Sequence, residues 1–216
     1  MQFDHERNAM IRTQLIQRGI SDQRVLDAMS AVPRHLFVPM DGRDLAYEDR
    51  ALPIDQGQTI SQPFVVALMT QALQLTGNER VLDVGTGSGY GAAVLSQLAS
   101  KVYSVERHSA LAQFARQRLY DLGYTNVRVL VGDGTSGLPE HAPFDAIIVA
   151  AAAPWVPRPL REQLSSSGCM VIPVGGRDEQ FLLRLTKHNG SMKVERMRGV
   201  RFVPLVGSHA WEKADW

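Results

Sequence analysis

The sequence predicts an α/β fold: a doubly wound, mostly parallel sheet with a helical extension before it and further strands after it. Three observations predict this. From Arg80 onward, short apolar runs alternate with helix-period segments, the pattern of successive βαβ units. The run Phe144–Ala150 is apolar enough to be buried on both faces, as a central parallel strand must be. The first run of the series passes directly into a glycine-rich turn, Gly85-Thr86-Gly87-Ser88-Gly89.

The elements follow in order. Residues 1–75 read as helical or irregular. Ser21-Asp22-Gln23-Arg24 opens a short helix with Val25, Leu26 and Met29 on one face, and Pro33 stops it. Pro53 and Gly57 punctuate a loop. A second helix runs from about Pro63 to Leu75, where Val65, Leu68, Met69, Ala72 and Leu73 fit a 3.6-residue period. In the core, residues 76–175, strands are expected at Val81–Val84, Val102–Glu106, Val127–Val131, Phe144–Ala150 and Cys169–Val174, the last ending near Pro173, which has no N–H for a ladder. Helices are expected at Ser88–Leu98, Ser109–Leu122 and Pro157–Leu164. Residues 176–216 supply strands at Phe181–Thr186 and Val194–Val203 and a tail with Trp211 and Trp216. The whole is read as one domain, 1–216.

Composition narrows the function. The chain has 216 residues, 44% of them hydrophobic and 21% charged, and a formal net charge of +1. At that length roughly 70% of the unfolded surface can be buried, so neither disulfide nor metal is required for a core. The near-neutral charge gives no field that would recruit nucleic acid or a membrane surface. The single cysteine, Cys169, excludes an internal disulfide and reads as an inert core residue. The N-terminus lacks a signal-peptide pattern. The expected setting is cytoplasmic, and the expected state a monomer. The six histidines, His35 among them, show no metal-ligand spacing. Trp155 is read either as a lining of a substrate mouth or as cover for the sheet end.

Doubly wound sheets bind ligands beyond the carboxyl ends of their strands. At the first such end, glycines let the backbone turn tightly and leave bare backbone for a ligand. At the second, Glu106 stands 21 residues after Gly85, the spacing at which a carboxylate takes ribose hydroxyls; a solvated loop residue is the plainer alternative. An adenosine-type ligand follows. The strict dinucleotide pattern fails at Tyr90, although Gly87-x-Gly89-x-x-Ala92 satisfies the looser form, so NAD stays open on the glycines alone. Asp83, two places before Gly85, resembles the first motif of S-adenosylmethionine-dependent methyltransferases, where it lies near the methionine end of the cofactor. At the third strand end, Gly132-Asp133-Gly134 fits an aspartate that accepts from the adenine amino group, or a plain turn.

Upstream, Leu52-Pro-Ile-Asp-Gln-Gly-Gln-Thr-Ile-Ser-Gln-Pro63 closely resembles the signature of the protein-L-isoaspartate O-methyltransferases. The resemblance continues through Val32–Pro39, Val84–Tyr90, Gly132–Gly134, Pro143–Ile148 and Val200–Leu205, and covers about residues 8 to 206. It implies a Rossmann-like methyltransferase fold, S-adenosylmethionine as cofactor, and methyl transfer to the free α-carboxylate of L-isoaspartyl residues in damaged proteins and peptides. It implies that Ser61 is the catalytic residue between cofactor and substrate, that Thr59 and Ile60 shape the same loop, and that Ala150–Pro154 passes the cofactor. The cofactor set is then Thr59, Ile60, Asp83, Gly85, Thr86, Gly87, Gly89, Glu106, Gly132, Asp133 and Gly134. Ser61, Val203, Pro204 and Leu205 meet the peptide. The alternative for Ser61 is an N-cap for the helix that begins at Pro63. The family's methyl ester closes spontaneously to a succinimide, whose hydrolysis returns some normal aspartate.

A related methyltransferase acting on a small molecule or RNA is the competing reading. RNA would want a basic stripe. Arg196, Arg198 and Arg201 are the only candidates, and they read as a solvated strand face. An oxidoreductase and a non-enzymatic binding protein are weaker alternatives, because the cofactor motifs are intact and favour a methyltransferase.

Overall fold

The fold is described from a computed structural model for residues 2–188 and 190–212. Helix α1 (Gln2–Ala9) runs into a π-helical turn at Met10–Leu15 and a 3-10 turn at Ile16–Arg18, which Gly19 ends with φ +92°. Helix α2 (Gln23–Ala31) is capped by Asp22, whose carboxylate accepts the Arg24 N–H at 2.9 Å. Two 3-10 turns, Arg34–Phe37 and Met40–Leu45, lead to a two-residue hairpin of β1 (Leu52–Pro53) and β2 (Thr59–Ile60). Helix α3 (Pro63–Leu73) follows and buries Phe64, Ala67, Met69, Ala72 and Leu73.

The remainder alternates as expected: β3 (Arg80–Val84), α4 (Tyr90–Ser96), β4 (Lys101–Glu106), α5 (Ser109–Asp121), β5 (Val127–Val131), β6 (Phe144–Val149), α6 (Arg158–Glu162), β7 (Leu164–Gly175), β8 (Gln180–His188) and β9 (Ser191–Val200). The seven strands from β3 onward form one sheet in the order β5-β4-β3-β6-β7-β8-β9. The first five in that order are parallel, and β8 and β9 are antiparallel. The chain steps outward from β3 to β5 and then returns to lay β6 on the other side of β3. The order therefore reverses between β3 and β6, and the crevice beyond their carboxyl ends is where such a sheet takes a ligand.

Alternation along β3 divides the core. Val81 packs with α2, α3 and α4 on one face, while Leu82 and Val84 pack with Ile147, Leu160 and Met170 on the other. Asp83 is thereby turned, with Val81, into the helix-covered face, where it is buried.

Several boundaries differ from expectation. β7 starts at Leu164 and ends at Gly175, so the helix before it is five residues long. Pro173 sits inside this strand, beyond the last β6 pair (Ile148 with Val171), and its carbonyl accepts the Ala153 N–H. β9 ends at Val200 rather than Val203. The chain there leaves the sheet and crosses to Ala152, which donates to the Val203 carbonyl and accepts the Leu205 N–H at 2.8 and 2.7 Å. Residues 203–211 thus become a strap over the strand ends, pinned by the Trp211 indole N–H on the Ala152 carbonyl at 3.1 Å. Trp211 docks on the body; Trp216 lies outside the described residues. His35 is a packing residue, stacked on Phe3 at 4.1 Å with Nδ1 2.8 Å from the Tyr47 hydroxyl. Cys169 is buried, and burial pushes its thiol pKa up.

Candidate active site

The carboxyl ends of β3, β4 and β6, the hairpin β1–β2 and the strap converge on one narrow channel and one open cleft. The inner half of the channel is lined by Thr59, Ile60, Ser61, Asp83, Gly85, Thr86, Gly87, Tyr90 and Ala150. The outer half is lined by Thr59, Gly85, Gly87, Glu106, Arg107, Gly134, Ala150 and the strap residues Val203–Val206. Thr59, Gly85, Gly87 and Ala150 belong to both halves, so the two adjoin across the glycine loop.

The channel's polar groups are held from behind. Glu106 Oε2 accepts the Gly87 N–H at 3.0 Å and Oε1 accepts the His108 N–H at 2.9 Å, which fixes the carboxylate at the rim. Asp83 Oδ2 accepts from the Ser104 hydroxyl at 2.7 Å, and that hydroxyl, having spent its proton, accepts from Thr86 at 2.5 Å. Burial raises the Asp83 carboxyl to about 7; Ser104 opposes the rise and the Glu106 charge adds to it. Gly85 and Gly87 adopt φ +98° and +51°, so the loop exposes backbone where side chains would otherwise stand.

These residues fit the cofactor expected from sequence. A fixed carboxylate at the β4 end suits ribose hydroxyls, a side-chain-free loop admits a ligand against its backbone, and a buried acid suits a cationic end. Three expected members stay off this lining. Gly89 lines neither half; it is the N-cap of α4, where φ +91° favours glycine, and Ala115 and Leu119 pack 3.4 Å from where a Cβ would stand. Asp133 Oδ1 accepts from the Thr135 N–H and hydroxyl at 2.9 and 2.6 Å, and Oδ2 accepts the Ser208 N–H at 2.8 Å. Asp133 is thus a turn cap and an anchor for the strap, with only its neighbour Gly134 on the channel. Gly132 also stays off the lining.

The cleft, of about 980 Å³, opens beside the inner half. Thr59, Ser61, Ala150 and Phe202 line both spaces, so Ser61 stands at their junction. Val203 and Pro204 face the cleft and the outer channel, whereas Leu205 lines the channel alone. The N-cap of α3 is Gln62, with no side-chain capping bond, so the capping alternative for Ser61 does not hold. Among the described residues the Ser61 hydroxyl makes no hydrogen bond. Asp49 organises the helix start instead: Oδ1 accepts the Phe64 N–H at 3.4 Å, and Oδ2 accepts from Gln62 at 2.7 Å and pairs with Arg18.

A match to the family described as protein-L-isoaspartate(D-aspartate) O-methyltransferase spans residues 5–210. The chain belongs to that family. It is similar to the protein-L-isoaspartate O-methyltransferase of Roseiflexus sp. (strain RS-1), at 62% identity over 211 residues covering 98% of this chain and 96% of the relative. A solved structure of a protein-L-isoaspartate O-methyltransferase superposes with TM-score 0.83 at 28% identity, covering 94% of this chain and 67% of that one. A second, described as a beta-aspartate methyltransferase from Plasmodium falciparum in complex with S-adenosyl-L-homocysteine, gives TM-score 0.78 at 28% identity, with 92% and 97% covered. The fold class, the methyltransferase activity and S-adenosylmethionine as cofactor thus stand as the sequence implied.

The cleft also includes residues the sequence did not single out. Arg18, Asp49 and Phe64 lie in segments without a motif. Arg198 and Arg201 were read as a solvated strand face, yet both line the cleft; Arg196 alone stays away, stacked 3.2 Å over Phe181. Trp155 is 60% exposed and outside the cleft lining.

Proposed function

We propose that this chain methylates the free α-carboxylate of L-isoaspartyl residues in damaged proteins and peptides, with Ser61 orienting that carboxylate. The observation that carries the reading is the position of Ser61: at the junction of cofactor channel and substrate cleft, with an unoccupied hydroxyl. S-adenosylmethionine, when bound, supplies a sulfonium methyl whose carbon–sulfur bond breaks with its electron pair staying on sulfur. The substrate carboxylate, with a pKa of roughly 3.5, is ionised at neutral pH and needs no general base. The chain's task is placement, holding the nucleophilic oxygen in line with the methyl group at about 3 Å. A neutral hydroxyl donor orients the carboxylate without quenching its nucleophilicity, as a bidentate arginine would.

The other roles follow from the same geometry. Glu106 receives the ribose, Asp83 faces the methionine end, and Thr59, Ile60, Gly85, Thr86, Gly87 and Gly134 form the walls. Val203 and Pro204 contact the peptide. The substrate is protein or peptide rather than nucleic acid or membrane, a reading that the formal charge of +1 supports, and the enzyme works as a cytoplasmic monomer. The test is mass spectrometry of an isoaspartyl peptide incubated with enzyme and cofactor. Gain of one methyl group followed by loss of methanol to a succinimide is expected. A stable methyl adduct on another atom overturns the reading.

A further inference from the structure

The cleft carries more positive charge than one reacting carboxylate can use. Arg18, Arg50, Arg177, Arg198 and Arg201 line it, against Asp49 as the single acid. Asp49 is committed to Arg18, and Arg50 pairs with Glu48 at 3.0 Å. Among the described residues, Arg198 and Arg201 have no carboxylate partner. Arg198 instead holds its guanidinium carbon 4.9 Å from the centre of the Phe64 ring, on which Arg18 also lies at 3.6 Å. Stacking of this kind fixes the plane of a guanidinium while leaving its N–H donors free.

The strand is shaped to place it there. β8 and β9 pair Phe181 with Gly199 but Leu183 with Arg196, so β9 carries one extra residue between these pairs. A bulge re-aims the side chains beside it. Arg196 lies on Phe181, while Arg198, within the bulge, reaches the cleft.

We propose that Arg198 and Arg201 bind a second carboxylate of the substrate, the side chain of an aspartate or glutamate next to the isoaspartyl residue. The inference rests on the methyl-transfer reading above. An isoaspartyl residue has a single free carboxylate, because its side-chain carboxyl is taken up in the chain linkage. That carboxylate is assigned to Ser61 and the methyl group, so the anion for Arg198 and Arg201 comes from a neighbour. Damaged sites in acidic surroundings are then preferred.

The test uses three isoaspartyl peptides, N-acetylated and C-amidated so that no terminal charge competes. One has glutamate adjacent to the isoaspartyl residue, one has glutamine there, and one has the glutamate moved to the far end. Exposed ion pairs predict about a threefold to tenfold higher kcat/KM for adjacent glutamate over glutamine, carried mainly in KM. The far glutamate should give little of this gain. In Arg198→Gln the ratio falls toward one, and Arg198→Lys restores part of it. Unchanged cofactor affinity in both variants certifies their fold. Equal turnover of the glutamate and glutamine peptides overturns the proposal while leaving methyl transfer standing. Equal gain from near and far glutamate overturns it in favour of simple charge steering. Absence of transfer to all three overturns both readings.

Discussion

Asp133 accepts the backbone N–H of Ser208 at 2.8 Å, joining the end of β5 to the strap 75 residues further along the chain. The same carboxylate caps the turn at Gly134–Ser136. Burial alone would raise its pKa, but the bonds from Thr135 and Ser208 outweigh that and hold it below the ordinary value.

Asp133→Ala removes the cap and the anchor together. The expected cost is about 1–2 kcal/mol of stability, read by urea denaturation. Because Val203–Val206 wall the outer channel, cofactor affinity falls as well. Gly207→Ala should reproduce the loss, since an added Cβ would lie 2.0 Å from Asp133 Oδ1. Wild-type affinity in both variants would show that the strap does not shape the channel.

Cofactor binding should depend on pH through Asp83. Burial raises its carboxyl to about 7 in the cofactor-free protein, so it is largely protonated below that value. A cationic methionine end favours the ionised form. Affinity for S-adenosylmethionine therefore climbs about tenfold per pH unit toward about 7 and levels above it. The sign for stability is opposite. A carboxyl raised in the folded state contributes fully below its unfolded value, ~3.9, and that contribution is lost as pH rises through about 7. Calorimetric titration across this range, with Asp83→Asn alongside, checks both; the variant should flatten the affinity profile.

Ser61→Ala separates chemistry from architecture. With no capping bond to lose, stability should change by less than about 0.5 kcal/mol, whereas a lost cap would cost about 1 kcal/mol. The value of kcat/KM should drop on the order of 10- to 100-fold with cofactor affinity nearly unchanged. A stability loss matching the activity loss would return Ser61 to a structural role.

The legible parts of this protein were those with local signatures. β3 through β6 follow from apolar runs and turn residues, and Glu106 follows from its distance to the glycine loop. The hairpin β1–β2 escaped because two-residue strands have no period to read. The end of β9 was misplaced because Phe202 and Val203 continue an apolar pattern after the chain has left the sheet for Ala152. The bonds that Asp133 accepts from Thr135 and Ser208 were not legible, because the strap's path sets its reach to Ser208 and no local pattern encodes it. Arg198 looked solvated because the bulge that turns it into the cleft depends on pairing with β8. Asp49, which does the capping that Ser61 was a candidate for, acts across a gap of 15 residues to Phe64.

The most direct test of the central claim is transfer of labelled methyl from S-adenosylmethionine to two peptides that differ only in an isoaspartyl or an aspartyl linkage at one residue. The account predicts label on the isoaspartyl peptide alone, released as methanol on mild base treatment. Equal labelling of both peptides, or of neither while the cofactor still binds, would contradict it.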